Sequence, residues 1–138
     1  MANEIWTKYP SGNSLDAYIF KQTDDKVFDQ SDGGDTFEAW EDGNVLNYDN
    51  PMTDQGDGYY TVDFPAVITT LGVYRVVIKV RAGAGAAVAD KGVAQGEIYW
   101  SGTAEQTIQT IVITNNTTTN VYDESTPPPI TVINESYL

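Results

Sequence analysis

The stretch Gly58 to Val80, GYYTVDFPAVITTLGVYRVVIKV, limits what this chain can fold into more than any other. Tyr60, Val62 and Phe64 alternate with Thr61 and Asp63. After a link from Pro65 to Gly72, Tyr74, Val76, Ile78 and Val80 alternate with Arg75, Val77 and Lys79. A side-chain period of two on both sides of one connection specifies two strands, each needing an apolar partner surface on one face. Aromatic and β-branched residues suit that pleated, half-buried setting. We expect the two segments to be the central pair of an antiparallel sheet.

The rest of the chain supplies further short strands. Ile5-Trp6 precedes a Tyr9-to-Asn13 turn cluster, and Leu15, Ala17 and Ile19 alternate with Asp16, Tyr18 and Phe20. Thr23 to Lys26 turns into Val27-Phe28, and Gln30 to Asp35 is too polar and Gly-rich to be anything but loop. Phe37 to Trp40 and Val45 to Tyr48 read as short strands, with Asn50-Pro51 as an edge or break. Ala82 to Gly92 has glycines and no apolar stripe, so it reads as a long loop. Val93 to Trp100 is the next strand, with Gly96 as a bulge position, and Thr107 to Thr114 follows as a strand of strong β composition. About seven to nine strands separated by turn clusters, with no long amphipathic helix, predict an all-β, immunoglobulin-like antiparallel β-sandwich. Its expected core is Trp40, Tyr60, Val62, Phe64, Tyr74, Val76, Ile78, Val80, Ile98 and Trp100.

Residues 1–114 would form the sandwich and 115–138 an extended Asn/Thr- and Pro-rich C-terminal arm. Pro127, Pro128 and Pro129 favour an extended backbone without internal hydrogen bonds. Beyond them Ile130, Val132, Ile133, Tyr137 and Leu138 are too apolar for a solvated tail and read as assembly contacts, suited to adding a strand to a neighbour's sheet edge.

Composition narrows the chemistry. The chain has 138 residues, enough to bury a core without staples. It contains no Cys and no His, so disulfides, thiolate nucleophiles, the commonest general base and the commonest metal ligands are missing. Twenty acidic against seven basic residues give a net charge of −13, which repels phosphate backbones and anionic membranes. We therefore expect no nucleic-acid or membrane partner. The N-terminus lacks the basic and apolar regions of a signal peptide, and the chain reads as soluble and made in a cytoplasm.

The order TFEAW, NYDNPMTDQGDGYYTVDFPA, GVYRVVIKVRAGAG and GVAQGEIYWSGT resembles small immunoglobulin-like domains encoded by tailed phages and prophages, over Ile5 to about Thr103. The resemblance implies a non-enzymatic virion accessory, first a capsid decoration protein and otherwise a tail, baseplate or fibre attachment. It carries over no catalytic residues and no cofactor. Its partners would be other virion proteins, such as the major capsid or tail protein, and further copies of itself, for which we favour a homotrimer.

Other chemistries were weighed against this. Asp29, Asp32 and Asp35 in DQSDGGD could offer oxygens to calcium, but Trp40 stands where an EF-hand needs its closing acid, and charge runs usually face water. Paired carboxylates with Trp40 and Trp100 could act on a sugar, though aromatics at strand spacing are generally core. A host-surface glycan on Trp40 or Tyr59 is a third possibility. Gly83 to Ala86 lacks the Lys-Ser/Thr ending of a phosphate loop, and the sequons at Asn115, Asn116 and Asn134 are expected from the Asn/Thr content. If the arm is the assembly device, removing Ser125 to Leu138 should leave a folded domain of smaller mass in solution by light scattering. An unchanged oligomeric mass would refute that role.

Overall fold

The structure, a computed structural model, describes residues 3–106. The expected strand Thr107 to Thr114, the boundary between 1–114 and 115–138, and the assembly residues Ile130, Val132, Ile133, Tyr137 and Leu138 lie outside the described residues. The strands are β1 (Ile5–Lys8), β2 (Leu15–Lys21), β3 (Val27–Phe28), β4 (Phe37–Glu38), β5 (Asn50–Pro51), β6 (Thr53–Asp54), β7 (Tyr59–Val62), β8 (Gly72–Val80), β9 (Lys91–Trp100) and β10 (Glu105–Gln106). One helical turn, α1 (Val45–Tyr48), interrupts them.

Two antiparallel sheets result. A three-stranded sheet has the order β1-β7-β6, and a seven-stranded sheet runs β10-β9-β8-β2-β3-β4 with β5 against β2. In chain order this is an immunoglobulin-like sandwich. β1, β7 and β6 take the places of strands B, E and D, while β9, β8, β2, β3 and β4 take those of G, F, C, C′ and C″. The place of strand A, beside β1, holds no strand among the described residues.

The alternation read from the sequence sets which side chains fill the space between the sheets. Leu15, Ala17 and Ile19 of β2, Tyr74, Val76 and Ile78 of β8, Ile98 and Trp100 of β9, and Ile5, Tyr60 and Phe64 from the small sheet and its exit form one buried cluster. Val62 and Val80 pack at its rim. The opposite set on β2 faces away: Tyr18 joins Val27 and Tyr48 in a second, smaller cluster with Phe20, Trp40 and Val45. Trp40 is thus partly buried outside the main core, with ring centroids 4.8 Å from Tyr48 and 5.9 Å from Tyr18.

Several local expectations are corrected. Tyr59–Val62 and Gly72–Val80 are not a central pair; they lie in different sheets, and β8 pairs with β2 and β9. The link between them crosses the sandwich, burying Phe64 and Ile68 on the way, with a turn closed by Ile68 N–H donating to the Pro65 carbonyl. Val45–Tyr48 is helical rather than extended. Val45 and Tyr48, three apart, then share the face packed on Tyr18 and Val27, while Leu46 points out. Phe37 to Trp40 pairs only at Phe37 and Glu38. The bulge falls not at Gly96, which pairs with Val76, but at Val93, where the register against β8 shifts between Ile78 and Lys79.

The link before β8 carries a feature that immunoglobulin sandwiches use at this corner: the Tyr74 hydroxyl donates to the Thr70 carbonyl four residues upstream, at 2.6 Å. Its phenol is pushed up to about 12, by burial first and then by the nearby Asp35 carboxylate. The Trp100 indole Nε1 donates to the Ile68 carbonyl at 2.7 Å, and its ring lies 4.4 Å from that of Phe64. Tyr74→Phe should lower unfolding free energy by about 1 kcal/mol, the net worth of one hydrogen bond. Trp100→Ala should cost about 3–5 kcal/mol. Urea titrations followed by circular dichroism read both, and equal midpoints for Tyr74→Phe and parent would remove the corner bond from the account.

Candidate functional site

Two surface features stand out at one end of the small sheet. On its outer face Trp6 of β1 is 56% exposed and Tyr59 of β7 is 39% exposed, with ring centroids 6.1 Å apart. They meet because Trp6 is opposite Thr61 and Lys8 opposite Tyr59, which places the two aromatics diagonally on the same face. The other edge of β1 has no strand partner among the described residues.

Around that edge opens a groove of about 210 Å³ between β1 and β9. Ile5, Val76, Ile78, Ala94 and Ile98 line it with apolar surface, and Gly96 contributes no side chain where a Cβ would meet nothing within 4 Å. At its mouth stand Glu4 and Glu105. Glu4 Oε1 accepts from the Phe64 backbone N–H, whereas its buried Oε2 has no partner among the described residues. Burial, and then the charge of Glu4, raise the pKa of Glu105. The groove is smaller than the roughly 300–1,000 Å³ of small-molecule pockets.

The calcium candidates are each engaged by hydrogen-bond donors of the protein, Asp29 and Asp32 within their own loop and Asp35 on the link before β8. Asp29 caps a short 3₁₀ turn by accepting from the Ser31 N–H and hydroxyl, and Asp32 accepts from the Thr36 hydroxyl. Asp35 Oδ2 accepts from the backbone N–H groups and hydroxyls of Thr69 and Thr70, clamping the corner below Tyr74. Among the described residues no group of three or more acidic side chains is placed to hold a metal ion. Trp40 has Tyr18, Phe20 and Tyr48 around it and the Lys79 ammonium 5.6 Å from its ring, so its faces are taken up by the protein. Trp100 is buried. Of the aromatics considered for sugar stacking, Tyr59 is exposed and Trp40 is partly buried.

Sequence reasoning missed a buried ion cluster. Arg81 Nε and Nη2 each donate at 2.8 Å to the two carboxylate oxygens of Asp16, which has 0% exposure, and Nη2 also reaches Asp49 at 3.4 Å. Asp49 is raised by burial and by the Asp16 charge, while Arg81 is raised by its bonds to Asp16 despite burial. The signal was available: Asp16 shares its strand face with Tyr18 and Phe20, an otherwise apolar face, and a buried carboxylate requires a cation. The pair ties the start of β2 to the residue after β8.

No family model matches the chain, and neither a curated protein nor a solved structure matches it.

The capping carboxylates set a pH dependence. For Asp35, burial opposes ionisation, but the hydrogen bonds from Thr70 and Thr69 outweigh it and hold the carboxyl below its ordinary value. Asp54 is held low by the Gly12 and Gly56 N–H groups. A group with a depressed folded pKa stabilises above its unfolded value of about 4, and that contribution is lost as pH falls through the folded one. Melting temperature should therefore fall on acidification below about pH 4, and less steeply for Asp35→Asn than for the parent. Parallel acid limbs for the two proteins would show that the clamp does not carry this dependence.

Proposed function

We propose that the protein is a non-enzymatic structural accessory of a tailed-phage particle, a rigid immunoglobulin-like spacer that seats on its partner through the Trp6–Tyr59 face. The observation that carries this reading is the exposed aromatic pair on an otherwise acid-rich surface. Trp and Tyr combine large contact area with few rotamers and are enriched among the residues that dominate interface energy. Capsid decoration is the first choice, supported by the resemblance over Ile5 to about Thr103; attachment to tail, baseplate or fibre is the second. The partner is another virion protein, the major capsid or tail protein, with further copies of the chain beside it. The strong negative charge suits many copies held close together on a lattice, because it limits non-specific association. The C-terminal arm adds a second contact, so that two weak attachments act together.

Mass spectrometry of density-banded particles from the host strain tests the assignment. The protein should appear in copy numbers typical of a structural component, and Trp6→Ala should reduce its incorporation several-fold while leaving the melting temperature unchanged. Presence in the lysate but absence from the particles would overturn the reading.

A further inference from the structure

The floor of the groove beside β1 is made by residues that withhold bulk. Ile98 and Trp100 of β9 are buried in the core, and two residues earlier each time the same face of the strand carries Gly96 and then Ala94, opposite Val76 and Ile78 of β8. A Cβ on Gly96 would meet nothing within 4 Å. Small residues at two successive core-facing positions leave space, and Ile5, Val76 and Ile78 give it apolar walls. The rim is open main chain: β1 pairs with β7 on one side and with no strand among the described residues on the other. An unpaired edge presents a row of backbone donors and acceptors and is a template for a strand from another chain.

The charges around the groove have one sign. Glu4, Glu97 and Glu105 line it and no lysine or arginine does, although the chain has seven. Glu97 is engaged by the Gln22 amide at 2.8 Å, which leaves Glu4 and Glu105 at the mouth. Glu4 uses one carboxylate oxygen to accept from the Phe64 N–H, and the other is buried without a partner among the described residues. A buried carboxylate oxygen without a donor is costly. The neighbouring Glu105, its pKa raised by burial and then by the charge of Glu4, adds like-charge repulsion. One ammonium or guanidinium group would relieve both.

We infer that the groove receives an extended, basic segment of another protein, which adds to the edge of β1 as a further strand, sets apolar side chains over Ala94 and Gly96, and places a lysine or arginine between Glu4 and Glu105. Main-chain hydrogen bonds to β1 supply affinity and the alternating side chains supply register. The aliphatic stem of the basic residue lies along Ile5 and Ile98 while its head reaches the acids. A volume of about 210 Å³ suits side chains entering from one strand better than a whole drug-sized ligand. Trp6 lines the groove and packs against Tyr59, so the groove and the aromatic pair form one continuous seat. The inference rests on the reading that a protein partner sits at this face, and it adds what that partner presents.

Three synthetic peptides test it: one alternating valine with threonine and ending in lysine, the same peptide with glutamate for lysine, and the lysine peptide N-methylated so that it cannot donate to a strand edge. Calorimetric titration of the full-length protein should show one lysine peptide bound per chain and no binding of the N-methylated one. The glutamate peptide should bind about tenfold more weakly or worse, the loss of one charge-assisted pair. Gly96→Leu fills the groove from its floor at a position where the fold has room, so it should keep the parent's melting temperature and lose the lysine peptide. Glu4→Gln/Glu105→Gln retains an acceptor for the Phe64 N–H and should bind lysine and glutamate peptides equally; it carries the test should Gly96→Leu fail to fold. No binding of the lysine peptide, equal binding of lysine and glutamate peptides by the parent, or undiminished binding by folded Gly96→Leu would each overturn the inference. So would a parent dimer that Gly96→Leu converts to monomer without peptide, because the occupant would then be a second copy. The particle assignment is read separately: a protein that binds the lysine peptide but is missing from particles sinks that assignment alone, and one present in particles that binds no peptide sinks this inference alone.

Discussion

The indole of Trp100 is the interaction on which the rest of the sandwich depends. It is buried at the end of β9, in contact with Phe64, and its N–H holds the Ile68 carbonyl. That bond fixes the link between β7 and β8, the segment that must cross from the small sheet to the large one. With the link fixed, Phe64 contacts Tyr74, Tyr74 hydroxyl closes the corner at Thr70, and Asp35 clamps Thr69 and Thr70 from the opposite side. The turn after β9 comes so close that a Cβ on Gly102, already at φ +104°, would lie 2.7 Å from the Thr69 carbonyl oxygen, so only glycine suits the position. An aromatic cluster with two directed hydrogen bonds thus joins the layers where antibody domains use a disulfide.

The excess of acid has a structural use that net charge conceals. Asp29, Asp35, Asp54, Asp63 and Asp90 each accept at least one backbone N–H in a loop or turn, where no sheet partner is available to that group. An ionised carboxylate is a strong acceptor, and a bond to it is worth more than one to a neutral oxygen. The long connection before β9 is pinned this way, with Asp90 accepting from Ala82 and Ala87. The one deeply buried acid, Asp16, is handled differently: it takes a bidentate arginine, because isolation in an apolar face would be prohibitive.

The exposed surface features go with unequal sheet sizes. The small sheet has three strands and the large one seven; α1 and its flanking residues pack on the outer side of the large sheet, and among the described residues a groove lies between β1 and β9. Among the described residues the Trp6–Tyr59 pair and the groove both involve β1, whose outer edge has no strand partner.

How much of this was legible beforehand follows from the range of each interaction. Strand positions, the all-β class and most of the core, from Tyr60 and Phe64 to Ile98 and Trp100, were determined by the sequence itself, because alternation is a local property of the backbone and each run carries its own apolar face. The same locality misled at Val45–Tyr48, where four residues fit either period and only packing on Tyr18 selected the helix. Which strands are neighbours could not be read, since β7 and β8 look alike as a hairpin until Phe64 and Ile68 are seen to bury between layers. Nor could the pairing of Asp16 with Arg81, or the clamp of Asp35 on Thr70, because those partners are 65 and 35 residues apart and a charge pattern carries no distance information. The groove, too, was decided only by tertiary structure: it is the space left when one sheet is narrower than the other, and no residue encodes it alone.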